Sequence, residues 1–231
     1  NDDIGAICVE VQRGKEADLT FLNSVRRIAK KINAVLIFDE ISSGFRLSIG
    51  GIYKLYDLEP DMVVIGKALG NGYGISAVMG KREIMEASQN TFISSSYWTE
   101  RTGYVAALET LRQFERKDVI SYLLDMGNYF REKLSDEFER INVSIEGKIT
   151  VPILKFNQEN NLLYRTYFTK EMLKRGYLAS NVLYISYAHT KKIIDNYANS
   201  VIHVIEKLLR FPSDVMKVEG SECHSSFRRL T

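Results

Sequence analysis

The feature that most constrains the fold is an uninterrupted apolar run, Ala34–Phe38, which stops abruptly at the carboxylate of Asp39. A continuous apolar run of this length is typical of a strand that is buried on both faces, as in a parallel sheet. Residues 6–11 form an earlier apolar run rich in β-branched side chains, which also predicts a strand. Between these two runs, residues 18–32 carry apolar side chains at helical spacing, with basic residues between them.

The order strand, helix, strand predicts a βαβ unit and therefore an α/β fold with a mainly parallel sheet. Asp18 is the candidate N-cap of the helix. Two further strands, Met62–Ile65 and Ile75–Gly80, follow in the first half of the chain. Eight of the 15 glycines lie between Gly44 and Gly80, so we expect the backbone there to turn tightly or to approach a ligand closely.

The second half of the chain has a different pattern. Residues from about 102 to 140 are mostly helical in period, residues 143–156 alternate like paired strands, and residues 162–174 predict another helix. We expect strand and loop over residues 177–187 and a long amphipathic helix over residues 190–209. This half is therefore predicted to be a smaller α+β domain.

The composition excludes several classes of protein. With 45% hydrophobic and 26% charged residues, the chain is neither disordered, collagen-like nor a disulfide-rich mini-protein. A net charge of +2 gives no reason to expect nucleic acid or an anionic membrane as a partner. No apolar run is long enough to predict a membrane span. We expect Cys8 and Cys223 to be free thiols of a cytoplasmic protein, with a single disulfide between them as the alternative.

Two ionisable residues follow directly on predicted strands. Asp39 comes immediately after one strand, and Lys67 lies two residues after Ile65, at the end of the next. Ligands of open α/β sheets bind beyond the carboxyl ends of the strands. A carboxylate and an amine at that edge suit a cofactor with a cationic ring nitrogen and an aldehyde, since lysine forms Schiff bases with aldehydes. The alternatives are a turn-forming aspartate and a solvated surface lysine.

At these residues the sequence resembles a known family. LIFDEISSGFR (Leu36–Arg46) and PDMVVIGKALGNGYGISAVMG (Pro60–Gly80) resemble the signature of class III aminotransferases, which are fold type I enzymes that use pyridoxal 5′-phosphate. SSSYWTERTGYVAALETL (Ser94–Leu111), YISYAHTKKIID (Tyr184–Asp195) and the terminal SSFRRLT resemble later segments of the same family. The finer resemblance is to the glutamate-1-semialdehyde 2,1-aminomutase branch.

The resemblance implies roles for three residues. Lys67 is expected to hold the cofactor as a Schiff base from a partly desolvated position, and then to move a proton between the substrate carbon and the cofactor's C4′ carbon. Asp39 is expected to pair with the pyridine nitrogen. Ser96 aligns with a residue that reaches the phosphate of the cofactor in the neighbouring subunit; Ser94 and Ser95 are alternatives, and so is a plain loop serine.

The resemblance also implies an organisation and partners. Residues 1–112 correspond to the C-terminal portion of the cofactor-binding large domain, residues 113–136 to a connecting helix, and residues 137–231 to the small α+β domain. We expect a homodimer that shares its cofactor site, small-molecule amino donors and acceptors as substrates, and no metal. The sequence departs from the family where Ser42 replaces a frequent Gln, and where Glu100-Arg101 replaces the usual Asn-Pro.

Members of this family are considerably longer than this chain, whose first residues correspond to the strand before the aspartate strand. We therefore interpret the chain as the C-terminal part of such an enzyme, and we expect the isolated polypeptide to be inactive and poorly soluble. The alternative is a non-catalytic remnant that acts only through protein interfaces. A generic nucleotide-binding domain is a third hypothesis, but no GxGxxG follows the first strand and no GxxxxGK[ST] motif is present.

Overall fold

The computed structural model describes residues 3–12, 14, 16–96, 98–138, 142–215 and 222–223. The chain divides into two compact units, Asn1–Ser121 and Tyr122–Thr231. The three-part division at residues 112 and 136 stays a prediction. The terminal SSFRRLT lies outside the described residues.

The first unit is built on a four-stranded sheet with the order β1-β2-β3-β4. The first three strands are parallel, and β4 runs antiparallel to β3 with Ile65 opposite Ala77. This mixed, mostly parallel sheet with helices confirms the predicted α/β class. The strands are β1 (Ala6–Glu10), β2 (Val35–Asp39), β3 (Met62–Ile65) and β4 (Ala77–Gly80). The helices are α1 (Leu19–Lys31), α2 (Arg82–Glu86) and α3 (Thr102–Lys117), with 3-10 helices at Ile52–Tyr56, Lys67–Leu69 and Ala87–Asn90.

Helix α1 begins and ends where the sequence predicts. The Asp18 side chain accepts a hydrogen bond from the Phe21 backbone N–H at 2.9 Å, which confirms Asp18 as the N-cap. Lys30 and Lys31 occupy the last turn, where cations interact favourably with the helix dipole. Because its apolar residues recur at helical spacing, α1 presents one apolar stripe to the sheet and keeps its basic residues in solvent.

One face of the sheet forms the core of the first unit. Alternate strand residues point to opposite faces, and the inward set is buried. This set and the side chains packed on it include Leu22, Ala29, Leu36, Phe38, Val63 and Ile65. Val35, Ile37, Met62 and Val64, on the opposite face, are only half-buried. The prediction that Ala34–Phe38 is buried on both faces is therefore wrong for the described residues, because these cover one face alone.

The second unit contains a β-hairpin and a group of helices. Its strands pair antiparallel from Val143–Phe156 to Lys148–Val151, as the alternation of residues 143–156 predicts. Its elements are α4 (Val119–Phe138, beginning at the end of the first unit), β5 (Val143–Lys148), β6 (Val151–Phe156), α5 (Asn161–Lys174), α6 (Lys191–Arg210) and α7 (Pro212–Val215). None of the helices in the described ranges combines the length and apolarity that crossing a bilayer requires.

The strand predicted within residues 177–187 is wrong, since this segment forms only an isolated bridge between Val182 and Ile153. The Leu154 N–H donates to the Asn181 carbonyl at 2.7 Å, but the Leu154 carbonyl accepts from the Asn181 side-chain amide at 3.1 Å. A side-chain amide thus takes the place of a backbone partner. The N–H groups of Leu183 and Ile185 donate to the carbonyls of Pro152 and Thr150, each at 3.0 Å, so the segment still pairs antiparallel with β6. Because Pro152 has no N–H to donate in return, the pairing is one-sided there and no regular strand forms.

Helix α6 is the long amphipathic helix that the sequence predicts. Thr190 caps it, because the Thr190 hydroxyl accepts a hydrogen bond from the Ile193 N–H. The buried stripe comprises Ile194, Tyr197, Ala198, Val201, Val204, Ile205 and Leu208. Burial raises the pKa of the Tyr197 phenol to about 12, with a smaller contribution from Tyr177. This stripe supplies much of the core of the second unit.

Candidate active site

The last residue of β2 opens the candidate site. Asp39 lies beside Val64 of β3 in the parallel register. Its Oδ1 accepts a hydrogen bond from the Ile41 N–H at 3.0 Å, an Asx-type turn that directs the chain out of the sheet. The Glu40 N–H donates to the Val64 carbonyl at 2.9 Å, which prolongs the contact between the two strands by one residue. Asp39 is therefore held at the carboxyl edge of the sheet, as the sequence predicts.

Asp39 belongs to the half-buried face of the sheet. Glu10 is its register partner on β1, and Cys8 lies two residues earlier on the same face. Burial raises the pKa of the Cys8 thiol, and the charges of Asp39 and Glu10 raise it further. Cys8 is exposed, and both Cys8 and Cys223 are free thiols. The negative charge at this edge is thus directed toward the face that the described residues leave open.

Glu40 fixes the loop that follows β2, and the sequence argument gave it no role. Its side chain is fully buried. One carboxylate oxygen accepts from the Ser43 hydroxyl at 2.5 Å, and the other accepts from the Tyr53 N–H at 2.9 Å. A Cβ at Gly44 would lie 2.8 Å from the Glu40 carbonyl oxygen. The sequence offered one signal for this role, because Glu40 directly follows Asp39 at the end of a buried strand. A carboxylate that is buried there needs hydrogen-bond donors around it.

The same carboxylate affects the tyrosine beside it. Burial raises the pKa of the Tyr53 phenol, and the charge of Glu40 adds to the shift. The Tyr53 ring packs on Phe38 of β2, with ring centroids 6.1 Å apart. The loop after β2 is therefore anchored both by hydrogen bonds and by aromatic packing.

Lys67 begins the 3-10 helix that follows β3. Its φ is 45°, in the left-handed region, which costs a non-glycine residue on the order of 1 kcal/mol. The Lys67 carbonyl accepts hydrogen bonds from the N–H groups of Gly70 at 3.2 Å and Asn71 at 3.1 Å, which hold the backbone in this conformation. The side chain is exposed, so the expectation of a partly desolvated amine is wrong for the described residues.

The Lys67 amine reaches the loop that Asp39 begins. Its Nζ donates a hydrogen bond to Oγ of Ser42, three residues after Asp39. The structure thus brings the predicted lysine and the loop of the predicted aspartate together at one edge of the sheet. Sequence reasoning noted Ser42 only as a departure from the family, and nothing in the sequence shows that it contacts Lys67.

An open depression of ≈ 500 Å³ lies beside the Lys67 amine. Its lining residues are Arg46, Lys67, Ala68, Asn71, Gly72, Tyr73 and Gly74. Two of them are cationic and none carries a carboxylate, so the depression favours an anionic group. Gly72 has a φ of 109°, which a side chain would strain, and a Cβ at Gly70 would overlap the Tyr73 carbonyl. The glycines predicted to shape the loop are therefore used for its turns.

Ser96 lies in an exposed turn before α3. Among the contacts of the described residues, none joins Ser96 to Lys67 or Asp39, so its role toward a phosphate in a neighbouring subunit stays a prediction. Glu100 contacts the start of α3, accepting hydrogen bonds from the N–H groups of Thr102 at 2.9 Å and Gly103 at 3.2 Å. Hydrogen bonds from Thr102 lower the pKa of Glu100. The departure at Glu100 is therefore explained by helix capping.

His189, which lies in the segment Tyr184–Asp195 that resembles the family, is held by hydrogen bonds within the second unit. The Nδ1 atom of His189 accepts from the Ser186 N–H at 3.3 Å, and the His189 carbonyl accepts from the Tyr122 hydroxyl at 2.9 Å. Burial lowers the pKa of the His189 imidazole. Within the part of the chain that the structure describes, no group of three or more His, Cys, Asp and Glu side chains could hold a metal ion.

The residues at this edge fit pyridoxal 5′-phosphate. Lys67 offers an accessible amine for its aldehyde, Asp39 a carboxylate for its ring nitrogen, and the cationic depression suits its negative charge. The family model described as aminotransferase class III matches residues 1–204. The chain belongs to the class III aminotransferases. The resemblance found in the sequence is thereby confirmed, and so is the cofactor at the level of the family.

The relatives of this class III chain include an aminotransferase and an aminomutase. It is 33% identical to the 3-aminobutyryl-CoA aminotransferase of Cloacimonas acidaminovorans over 78% of the chain and 45% of that protein. It is also 33% identical to the glutamate-1-semialdehyde 2,1-aminomutase of Methanothrix thermoacetophila, over 84% of the chain and 50% of that protein. The chain therefore spans about half the length of these curated relatives.

A solved structure shows the same fold. The FumI protein of Sphingopyxis sp. MTA144, determined in its PLP internal aldimine form, superposes with a TM-score of 0.86. The match covers 92% of this chain and 54% of FumI, at 24% sequence identity. The predicted fold, part of a fold type I PLP transferase, is confirmed.

Proposed function

We propose that this class III chain takes part in the pyridoxal-phosphate-dependent transfer of an amino group between, or within, small molecules. The observation that carries the proposal is the meeting of the Lys67 amine with the loop of Asp39 at the carboxyl edge of β2 and β3. When bound, the cofactor supplies an aldehyde for an amine and a ring that accepts electrons from the substrate. Each of the chain's own residues then has a defined task.

Lys67 is the proposed attachment point and base. Its amine would hold the cofactor through the cofactor's aldehyde, and the same amine, when free, would take a proton from the substrate carbon and return it. Its exposure, together with its position on the rim of the cationic depression, supports access by both partners.

Asp39 is the proposed partner of the ring nitrogen. Its carboxylate would hold the ring nitrogen of the cofactor in its protonated form, the form in which the ring accepts electrons best. Support comes from its fixed place at the end of β2, on the half-buried face of the sheet.

The two enzyme types, aminotransferase and aminomutase, differ in whether donor and acceptor are the same molecule. The two relatives named above are equally identical to this chain, so identity favours neither. We therefore propose that the amino donor and the amino acceptor are small molecules, and we choose neither enzyme type. The alternative of a non-catalytic remnant draws support from the half-length match alone, and the retained Asp39 and Lys67 argue against it.

We further propose a homodimer in which Ser96 reaches the cofactor phosphate of the partner subunit, in a protein of the cytoplasm. The exposed position of Ser96 is compatible with a contact across an interface. Light scattering after size exclusion of the cofactor-loaded protein tests the dimer. A monomeric mass would contradict it.

The function is tested by trapping the Schiff base. The protein is incubated with pyridoxal phosphate, reduced with borohydride and digested, and the modified lysine is located by mass spectrometry. We expect the phosphopyridoxyl group on Lys67, its loss in Lys67→Ala, and no loss in Lys54→Ala, a matched lysine of the same unit whose Nζ donates to the Ile49 carbonyl. The trial uses this chain alone and then the chain supplied with the relatives' remaining half. Absence of the group in both preparations would favour the remnant.

A further inference from the structure

Ser42 is the one partner that the described residues give the Lys67 amine. The Lys67 Nζ donates to Ser42 Oγ, and no ion pair or other hydrogen bond of the described part involves this amine. We propose that Ser42 is a positioning residue, which holds the Lys67 amine at the edge of the sheet in the orientation needed to attack the aldehyde of a cofactor bound there. This inference rests on the proposed function of Lys67.

The position of Ser42 is set without any help from Lys67. On one side, the Ile41 N–H is bonded to Asp39 Oδ1. On the other side, the Ser43 hydroxyl is bonded to the buried Glu40 carboxylate, and the Gly44 N–H to the Glu40 carbonyl at 2.7 Å. Because both neighbours are anchored, the backbone of the half-buried Ser42 is fixed, and its hydroxyl can accept only within the short reach of one rotatable bond.

Lys67 needs such an acceptor because only its backbone is fixed. The left-handed φ and the hydrogen bonds to the Lys67 carbonyl define where the side chain starts. Four flexible methylene groups separate that point from the amine, so an unbonded amine would sample many rotamers. The hydrogen bond to Ser42 selects those that keep the amine at the loop that follows Asp39, on the rim of the depression.

A hydroxyl suits this task chemically. As an acceptor it engages one N–H and adds no charge beside the amine, so the nitrogen lone pair stays available for a carbonyl carbon. A carboxylate at the same place would instead form an ion pair and favour the charged, non-nucleophilic form of an amine. Ser42 therefore orients the nucleophile without placing a charge beside it.

The first part of the test measures the contact between Ser42 and the Lys67 amine in the absence of the cofactor. Reductive methylation with formaldehyde and a borohydride is followed by mass spectrometry of the Lys67 peptide, with the Lys54 peptide as internal reference. Loss of a hydrogen bond frees the amine, so we expect Ser42→Ala to raise the Lys67 rate about two- to ten-fold. Ser42→Thr keeps the hydroxyl and should retain the wild-type rate. Ser48→Ala, which removes a hydroxyl from the same loop, should also leave it unchanged.

The second reading uses pyridoxal phosphate and borohydride. We expect Ser42→Ala to lower the yield of the phosphopyridoxyl group on Lys67 at limiting cofactor, and Ser42→Thr to restore it. If Ser42→Ala unfolds, the pair Ser42→Thr and Ser42→Val replaces it, because these two differ only in a hydroxyl against a methyl group. Equal methylation of Lys67 with and without the hydroxyl would overturn the inference. A changed methylation rate with no phosphopyridoxyl group on wild-type Lys67, either in this chain alone or in the chain supplied with the relatives' remaining half, would support the contact and overturn the proposed function instead.

Discussion

Glu40 joins the end of β2 to a 3-10 helix thirteen residues later, since its Oε1 accepts a hydrogen bond from the Tyr53 N–H at 2.9 Å. The other carboxylate oxygen accepts from Ser43, and the whole side chain is buried. A buried carboxylate is costly unless its hydrogen bonds are complete. Glu40 fixes Ser43 on one side of Ser42, while Asp39 Oδ1 accepts from the Ile41 N–H on the other, so the two carboxylates together prepare the place where the lysine is held.

Replacing Glu40 with Ala should destabilise the first unit. The Ser43 hydroxyl and the Tyr53 N–H would lose their acceptor, and each unsatisfied buried donor costs about 1–3 kcal/mol. Urea denaturation of Glu40→Ala should show a lower midpoint than the wild type. Glu59→Ala is the control, because Glu59 pairs with Arg26 at an exposed position and should change the free energy of unfolding by less than about 1 kcal/mol. Equal midpoints for both variants would contradict the structural role of Glu40.

The left-handed backbone at Lys67 predicts an unusual order of stability. Glycine adopts a φ of 45° without the penalty that a Cβ imposes. Lys67→Gly should therefore be more stable than Lys67→Ala by about 1 kcal/mol, although both variants lose the amine. Thermal or urea unfolding of the two variants side by side gives the difference. An alanine variant as stable as the glycine variant would show that this residue is not strained.

Close packing at Gly103 predicts a cost for a single methyl group. A Cβ there would lie 2.8 Å from the Gly74 carbonyl oxygen and 3.2 Å from Ile75 Cβ. Alanine is the better helix former by about 1 kcal/mol, but overpacking of this kind costs about 1–3 kcal/mol. We expect Gly103→Ala to lower the unfolding midpoint and to disturb the loop that lines the depression. Gly5→Ala, where a Cβ meets nothing within 4 Å, is the control and should be neutral.

Glu171 makes the stability of the second unit depend on pH. Burial raises the pKa of Glu171, but hydrogen bonds from Lys174 at 2.6 Å and Lys207 at 3.0 Å outweigh it, so the pKa in the folded protein lies below the ordinary value of 4.5. A depressed carboxyl pKa stabilises the fold above the unfolded value, and that contribution is lost as pH falls through the folded value.

The measurement is urea unfolding between neutral pH and pH 3, followed by far-UV circular dichroism. Wild type should lose more stability over the acid range below pH 4.5 than Glu171→Gln does. Glu206→Gln serves as a carboxyl control on α6. If the free energy of unfolding changed equally with pH in wild type and in Glu171→Gln, Glu171 would not be the source of the pH dependence.

The sequence predicted those parts of the fold that depend on local periodicity. The apolar run before Asp39, the N-cap at Asp18 and the stripe of α6 each determine an element through neighbouring residues, and the structure confirms all three. It also confirms Asp39 at the edge of the sheet. The depth of burial was predicted less well, because whether the second face of a strand is covered depends on residues far away along the chain.

The contacts of the site could not be predicted from the sequence either, because they join residues that are far apart along the chain. Ser42 and Lys67 are 25 residues apart, and their hydrogen bond depends on the β2–β3 register and on the left-handed φ at Lys67. Glu40 likewise reaches Tyr53 through space. Motifs indicated which side chains carry chemistry, whereas the partners that hold them emerge only when the strands are paired.

The antiparallel pairing of β3 and β4 holds both ends of the loop that joins these strands and contains Lys67. Because Ile65 lies opposite Ala77, the chain leaves the sheet after Ile65 and re-enters it beside the same point. Lys67 and most of the residues that line the depression lie on this excursion. A change within it therefore leaves the pairing at its base in place, whereas Gly70 and Gly72 must be kept because a side chain would overlap or strain the backbone there. We expect substitutions of its exposed residues, such as Tyr73, to change what binds in the depression while the pairing of β3 with β4 stays intact.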